Sequence, residues 1–89
     1  MPESTPDAAN YDPVVLGHRL RHNRHITGLT LAELGNRIGR PASYLSQVEN
    51  GHVEPKLGVL ARLAVALGCT TADLLDPTPP PRRTALEID

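Results

Sequence analysis

Residues 31–51 read LAELGNRIGRPASYLSQVENG, and their punctuation decides the fold. Thr30 stands just before the stretch and Glu33 three residues later. That spacing is a capping box: the threonine hydroxyl takes a free backbone N–H and the glutamate reaches back to the cap. Ala32, Leu34 and Ile38 supply an apolar stripe at helical spacing. Gly39 then stops the helix, because glycine accepts the left-handed conformation of a C-terminal cap. Pro41 opens a second helix, at or next to the position where a missing N–H costs nothing. Leu45 and Val48 point inward, and Asn50 with Gly51 ends the segment.

Helix, short glycine-bearing turn, helix is the outline of a helix-turn-helix. In that motif the second helix enters the major groove of DNA and its N-terminal residues meet base edges. Here those residues are Arg40, Ala42, Ser43 and, one turn on, Gln47, all small or polar and none needed for a core. On these residues alone two readings stand level: DNA recognition, and an ordinary helical hairpin with a solvated face.

The totals narrow the frame. Eighty-nine residues make one small domain with tails. Two tyrosines, with no tryptophan or phenylalanine, leave Leu, Ile, Val and Ala to build the core, so pairing with a second copy would help stability. No apolar run reaches membrane-spanning length and no basic-plus-apolar leader precedes the domain, so the expected location is cytoplasmic. The single cysteine, Cys69, cannot form an internal disulfide and reads as a small apolar residue. The net charge of −1 hides an asymmetry: residues 1–12 carry −3 and residues 13–51 carry +3. The positive charge lies in the segment that holds the motif, as a phosphate-facing patch requires.

In chain order, residues 1–12 are rich in Pro, Ser, Thr and acid and are expected to form a disordered leader. Asp12 and Pro13 begin a first helix that Gly28 ends. Leu16, Leu20, Asn23 and Thr27 share its inner face; Asn23 there needs a hydrogen-bond partner or costs roughly 1–3 kcal/mol. His18, His22 and His25 fall opposite, at a spacing that could chelate a metal, but with no acid or cysteine beside them they read as a solvated stripe. A fourth helix is expected over residues 56–67, with Leu57, Leu60, Ala61, Ala64 and Leu67 inward, and Val59, Leu63, Val65 and Ala66 spreading apolar surface round it. Thr70 and Asp73 cap a short fifth helix whose Leu74 and Leu75 close the core. The packed domain is thus expected over residues 13–76. Residues 77–89 read as a proline-rich spacer and then, from Thr84, the first turn of a further amphipathic helix, as if a longer protein were cut after its first domain.

The order and spacing of these signals resemble the Cro/cI-type helix-turn-helix domain of phage repressors and the XRE family of bacterial regulators. The likeness rests on Leu16, Gly17, Arg19, Leu20, Arg21 and Arg24, on GLTLAEL from Gly28, on Ile38 and Gly39, on SYLSQVENG from Ser43, on Pro55, on LARLAVALG from Leu60, and on Asp73, Leu74 and Leu75. It implies an all-α, five-helix, lambda-repressor-like fold with the helix-turn-helix at helices two and three. It implies a sequence-specific transcriptional regulator whose recognition helix, about residues 41–49, lies in the major groove, with Arg40, Ala42, Ser43 and Gln47 reading bases. Gln47 would grip adenine in two places and Ala42 would touch a thymine methyl. Arg24, Thr30, Leu31, Tyr44, Asn50, His52 and Lys56 would meet phosphate, through side chains or the backbone N–H groups opening helix two. Arg24 would also pair with Glu49 in a structural ion pair.

Three departures temper the expected affinity. Leu31 stands where the family often has glutamine, Pro41 replaces a hydroxyl cap, and Glu54 lies where a phosphate would prefer a base. A homodimer reading two half-sites of a near-palindromic operator, roughly 34 Å apart, would supply the missing affinity. No nucleophile–base pair, acid dyad, phosphate-cradling loop or metal quartet is legible, so no enzyme activity, cofactor or metal is expected, and no effector ligand within this domain. The competing function is a protein-interaction module that keeps the fold without strong DNA binding.

Overall fold

The computed structural model describes residues 11–76, which form five helices: α1 (Pro13–Thr27), α2 (Leu31–Ile38), α3 (Ala42–Glu49), α4 (Leu57–Leu67) and α5 (Thr71–Leu75). Among the described residues there is no strand. The expected boundaries hold because the end signals are met locally. Asp12 caps α1, its carboxylate accepting from the Val14 N–H at 2.9 Å. Thr30 and Glu33 close a reciprocal box on α2, at 3.0 and 2.8 Å. Thr70 and Asp73 do the same on α5, both bonds at 3.0 Å. Pro41 takes the N-cap position of α3 and offers no side-chain bond, as its chemistry dictates.

The core is aliphatic. Leu16, Leu20, Leu34, Leu45, Val48, Leu60, Leu63 and Leu74 are fully buried, and Ile38, Val59, Ala64 and Leu67 complete the cluster. Tyr11 and Tyr44 pack at its rim. Tyr11 belongs by sequence to the expected leader, yet it is half-buried and its hydroxyl donates to the Pro55 carbonyl at 3.2 Å, tying the chain's entry to the α3–α4 loop. That burial holds its phenol above the ordinary tyrosine range. The rest of the expected leader and the proline-rich segment lie outside the described residues.

Three sequence expectations are corrected. On α2, Ala32 is exposed, and the half-buried Leu31 joins Leu34 and Ile38 on the inner side instead. On α1 the inner face ends in Arg24 rather than in Asn23 and Thr27. Arg24 falls about 40° beyond Leu20 around the helix, toward α3, at 100° per residue. Asn23 is left half-buried and meets its own requirement by donating to the Arg19 carbonyl at 3.0 Å, while Thr27 is exposed. On α4 the inward set is Val59, Leu60, Leu63, Ala64 and Leu67, whereas Leu57 and Ala61 face out. That helix is apolar nearly all round, so its sequence offers two competing stripes; packing against α2 and α5 selects one of them.

Two glycines set the spacing of the helix-turn-helix. A Cβ on Gly17 would overlap the Glu49 and Val48 carbonyl oxygens, so α1 lies on the end of α3 backbone to backbone. A Cβ on Gly35 would overlap the Arg40 carbonyl oxygen, so the turn folds back onto α2 at that point. Only hydrogen at these positions admits the approach.

Candidate nucleic-acid interface

α3 is held from inside by charge as well as by apolar contact. Leu45 and Val48 sit in the core, and Glu49 beside them is buried. Arg24 of α1, also buried, meets that carboxylate with two parallel bonds: Nε to Oε2 at 2.6 Å and Nη2 to Oε1 at 3.0 Å. Its remaining nitrogen, Nη1, donates to the Leu29 carbonyl at 2.9 Å. The bond to Glu49 holds the guanidinium even more firmly charged than a free arginine. A forked pair of this kind fixes geometry, because both planes must align for both bonds to form. The expected Arg24–Glu49 pair is therefore present, and Arg24's donors are largely committed inside the protein rather than turned toward a phosphate.

One partner was missed. Arg21 lies three residues before Arg24 on α1; its Nε reaches Glu49 Oε1 at 3.3 Å and its Nη2 donates to Asn50 Oδ1 at 3.1 Å. Glu49 thus joins two arginines, one buried and one half-exposed. The three-residue spacing of Arg21 and Arg24 put them on neighbouring rows of one helix, and that spacing was the available signal. Asn50 is also changed by this. Its amide donates to the Ser46 carbonyl at 2.9 Å while its oxygen accepts from Arg21, so both ends of the side chain hold the helix end in place.

The outer side of the same helix is different. Ser43 and Gln47 are exposed, one turn apart, and neither side chain is hydrogen-bonded among the described residues. Ala42 is half-buried at the start of α3. Arg40, in the turn, is exposed and lies over the Tyr44 ring at 5.1 Å, a cation–π contact that orients the guanidinium. The structure thus gathers Arg40, Ala42, Ser43 and Gln47 onto one element and its lead-in.

The other sequence-predicted contacts lie on flanking ends. The Thr30 hydroxyl and the first N–H groups of α2 form one end; the Thr30 bonds hold the Glu33 carboxyl below the usual range. Leu31 offers only its backbone there, since its side chain packs against the core. His52 and Lys56 are exposed in the loop after α3, where the His52 N–H donates to the Gln47 carbonyl at 2.9 Å. Glu54 is exposed in the same loop. Among the described residues no group of three or more metal-ligating side chains converges. No helix there is long and apolar enough to cross a membrane.

Residues 15–77 match a family model described as a helix-turn-helix domain. The chain belongs to that family. An uncharacterized HTH-type transcriptional regulator of Sinorhizobium fredii is 36% identical over 64 residues, covering 72% of this chain and 83% of its own length. Among solved structures, the restriction-modification controller protein C.AhdI of Aeromonas hydrophila superposes with a TM-score of 0.68 at 35% identity, over 71% of this chain and 91% of that one. The P22 c2 repressor protein, solved with a synthetic operator, gives 0.68 at 31% identity, over 72% and 97%. The five-helix, repressor-like architecture expected from the sequence is the one these neighbours share.

Proposed function

We propose that this domain is a sequence-specific DNA-binding transcriptional regulator that lays α3 in the major groove. The observation that carries the reading is the asymmetry of α3. Its inner side is fixed by a buried forked ion pair and a glycine-level approach, while Ser43 and Gln47 are left outside with unused donors and acceptors. Gln47 offers the donor–acceptor edge that matches adenine, Ser43 bonds permissively, Ala42 meets a thymine methyl, and Arg40 reaches a guanine or the adjoining phosphate. Phosphates on either side would be met by Thr30 and the Leu31 N–H at the α2 start, by Tyr44, and by Asn50, His52 and Lys56 beyond α3. Arg24 acts there mainly by holding Glu49 at the end of α3, while the half-exposed Arg21 ties Asn50 to the same carboxylate.

The likeness to a controller protein and to an operator-bound repressor supports gene regulation as the setting. A cytoplasmic homodimer on two half-sites fits the small size of one recognition surface and the near-neutral chain. Selection of duplexes from a random pool at moderate salt tests the proposal. The expected result is an enriched half-site, repeated about one helical turn away, whose affinity falls steeply with salt as phosphate contacts dictate. Enrichment of nothing above the starting pool at low salt would leave a protein-interaction module in its place.

A further inference from the structure

The outer side of α1 carries a cluster that base reading by α3 does not use. His18, Arg21, His22 and His25 line one shallow hollow. At 100° per residue they fall within an arc of about 100°, and they run along two turns of the helix, about 10 Å. His18 and His25 are exposed, and Arg21 and His22 are half-buried. No acid lies anywhere in α1 to offset them. The acid at the edge of the cluster, Glu49 of α3, is buried and already met by Arg21 and Arg24. Two arginines against one carboxylate leave this side of α1 positive before any imidazole takes a proton.

The donors of the cluster are largely uncommitted. Neither His18 nor His22 makes a hydrogen bond among the described residues. Arg21 uses Nε on Glu49 and Nη2 on Asn50, which leaves Nη1. His25 Nε2 lies 3.4 Å from Arg24 Nη2. Arginine has no acceptor, so Nε2 accepts there and the ring proton sits on Nδ1 as a further donor.

We propose that this hollow is a phosphate-binding site. The donor set suits a phosphate group: one N–H from each imidazole and one from a guanidinium, with the only nearby carboxylate neutralised by its own pair. A metal ion is the poorer occupant, because no three ligating side chains converge among the described residues. Position favours one source of phosphate. Arg21 holds Asn50 at the end of α3, and Arg24, against His25, donates to the Leu29 carbonyl next to Thr30 at the start of α2. The hollow thus adjoins both helix ends that the proposed function sets against the DNA backbone. Occupation by a backbone phosphate rests on that DNA reading; the anion site itself does not.

Two measurements on the full 89-residue chain test it. In the first, without DNA, inorganic phosphate replaces chloride at constant pH and ionic strength, and the imidazole signals are followed by nuclear magnetic resonance. Those of His18, His22 and His25 should shift and saturate, while that of His52, in the loop after α3, lags behind. In the second, duplex affinity is measured against salt for wild type and for His18→Ala/His22→Ala, which leaves the Arg21, Arg24 and Glu49 bonds in place. The log–log salt slope should flatten by about one, with equal loss on selected and scrambled duplexes, because a phosphate contact carries no sequence. A flattened slope assigns the site to the duplex backbone. A selective phosphate shift with an unchanged slope keeps the site and assigns it to a free phosphate group. All four histidines shifting alike, or none shifting, together with an unchanged slope overturns the proposal. If no duplex binds at all, the DNA reading fails while the phosphate titration still decides the site.

Discussion

The two sides of α3 are built on opposite principles. Inside, Leu45, Val48 and Glu49 are buried, and Glu49 receives bonds from Arg24 and Arg21 while Gly17 lets the α1 backbone lie against its carbonyl. Outside, Ser43 and Gln47 are exposed and unbonded. The contrast shows how an eight-residue helix, too short to be stable alone, serves as a rigid probe. The buried ion pair and the close backbone approach at Gly17 fix α3 against α1, so the outer side chains need only be polar and correctly spaced.

The largest way to break this contrast is to remove the inner anchor. Glu49→Ala strands Arg24 in a buried site, and truncating one partner of such a pair costs about 3–5 kcal/mol. The expected result in thermal denaturation is a melting point lower by more than 10 °C, taking about 4–8 °C per kcal/mol for a domain of this size. Arg21→Ala removes the half-exposed arm and should cost no more than about 1 kcal/mol. Equal losses for the two would mean that the buried fork is not the anchor. Next in size is Gly17→Ala: the added methyl meets backbone rather than a side chain that could turn aside, and overpacking of this kind costs about 1–3 kcal/mol. Denaturant midpoints that match wild type would show that α1 and α3 have room to part.

The smallest effect lies at the α2 end, on the exposed side. The Thr30 bonds lower the Glu33 carboxyl, and the corresponding Thr70 bonds lower that of Asp73. A depressed acid stabilises the fold above its unfolded pKa and loses that contribution as pH falls through its folded value. The boxes should therefore weaken only on the acid side, below the ordinary carboxylate range, with no change near neutrality. In Glu33→Gln the acid-side slope of stability against pH should flatten slightly; an unaltered slope would detach the cap from the titration.

Most of the scaffold was legible because its signals are local. Asp12, Thr30 and Thr70 each meet their N–H groups within three residues, so the helix starts could be placed before any packing was known. The side of α4 was not legible, since Leu57 and Ala61 compete with Val59 and Leu63 on a helix with almost no polar side to orient it. Arg21's hold on Asn50 spans 29 residues and Gly17's on Glu49 is backbone against backbone; neither leaves a periodic mark in one sequence. At the interface, the positions of Arg40, Ser43 and Gln47 followed from the motif, whereas the commitment of Arg24 and Asn50 to internal bonds needed coordinates.

Whether the free side of α3 reads bases is decided by Gln47→Ala, because Gln47 is exposed and its side chain holds nothing else in place among the described residues. Binding would be titrated against the selected duplex and a scrambled duplex at one salt concentration. The expected loss is about 1–3 kcal/mol on the selected duplex and almost none on the scrambled one, with the melting point unchanged. Equal loss on both duplexes, or no loss on either, would contradict it.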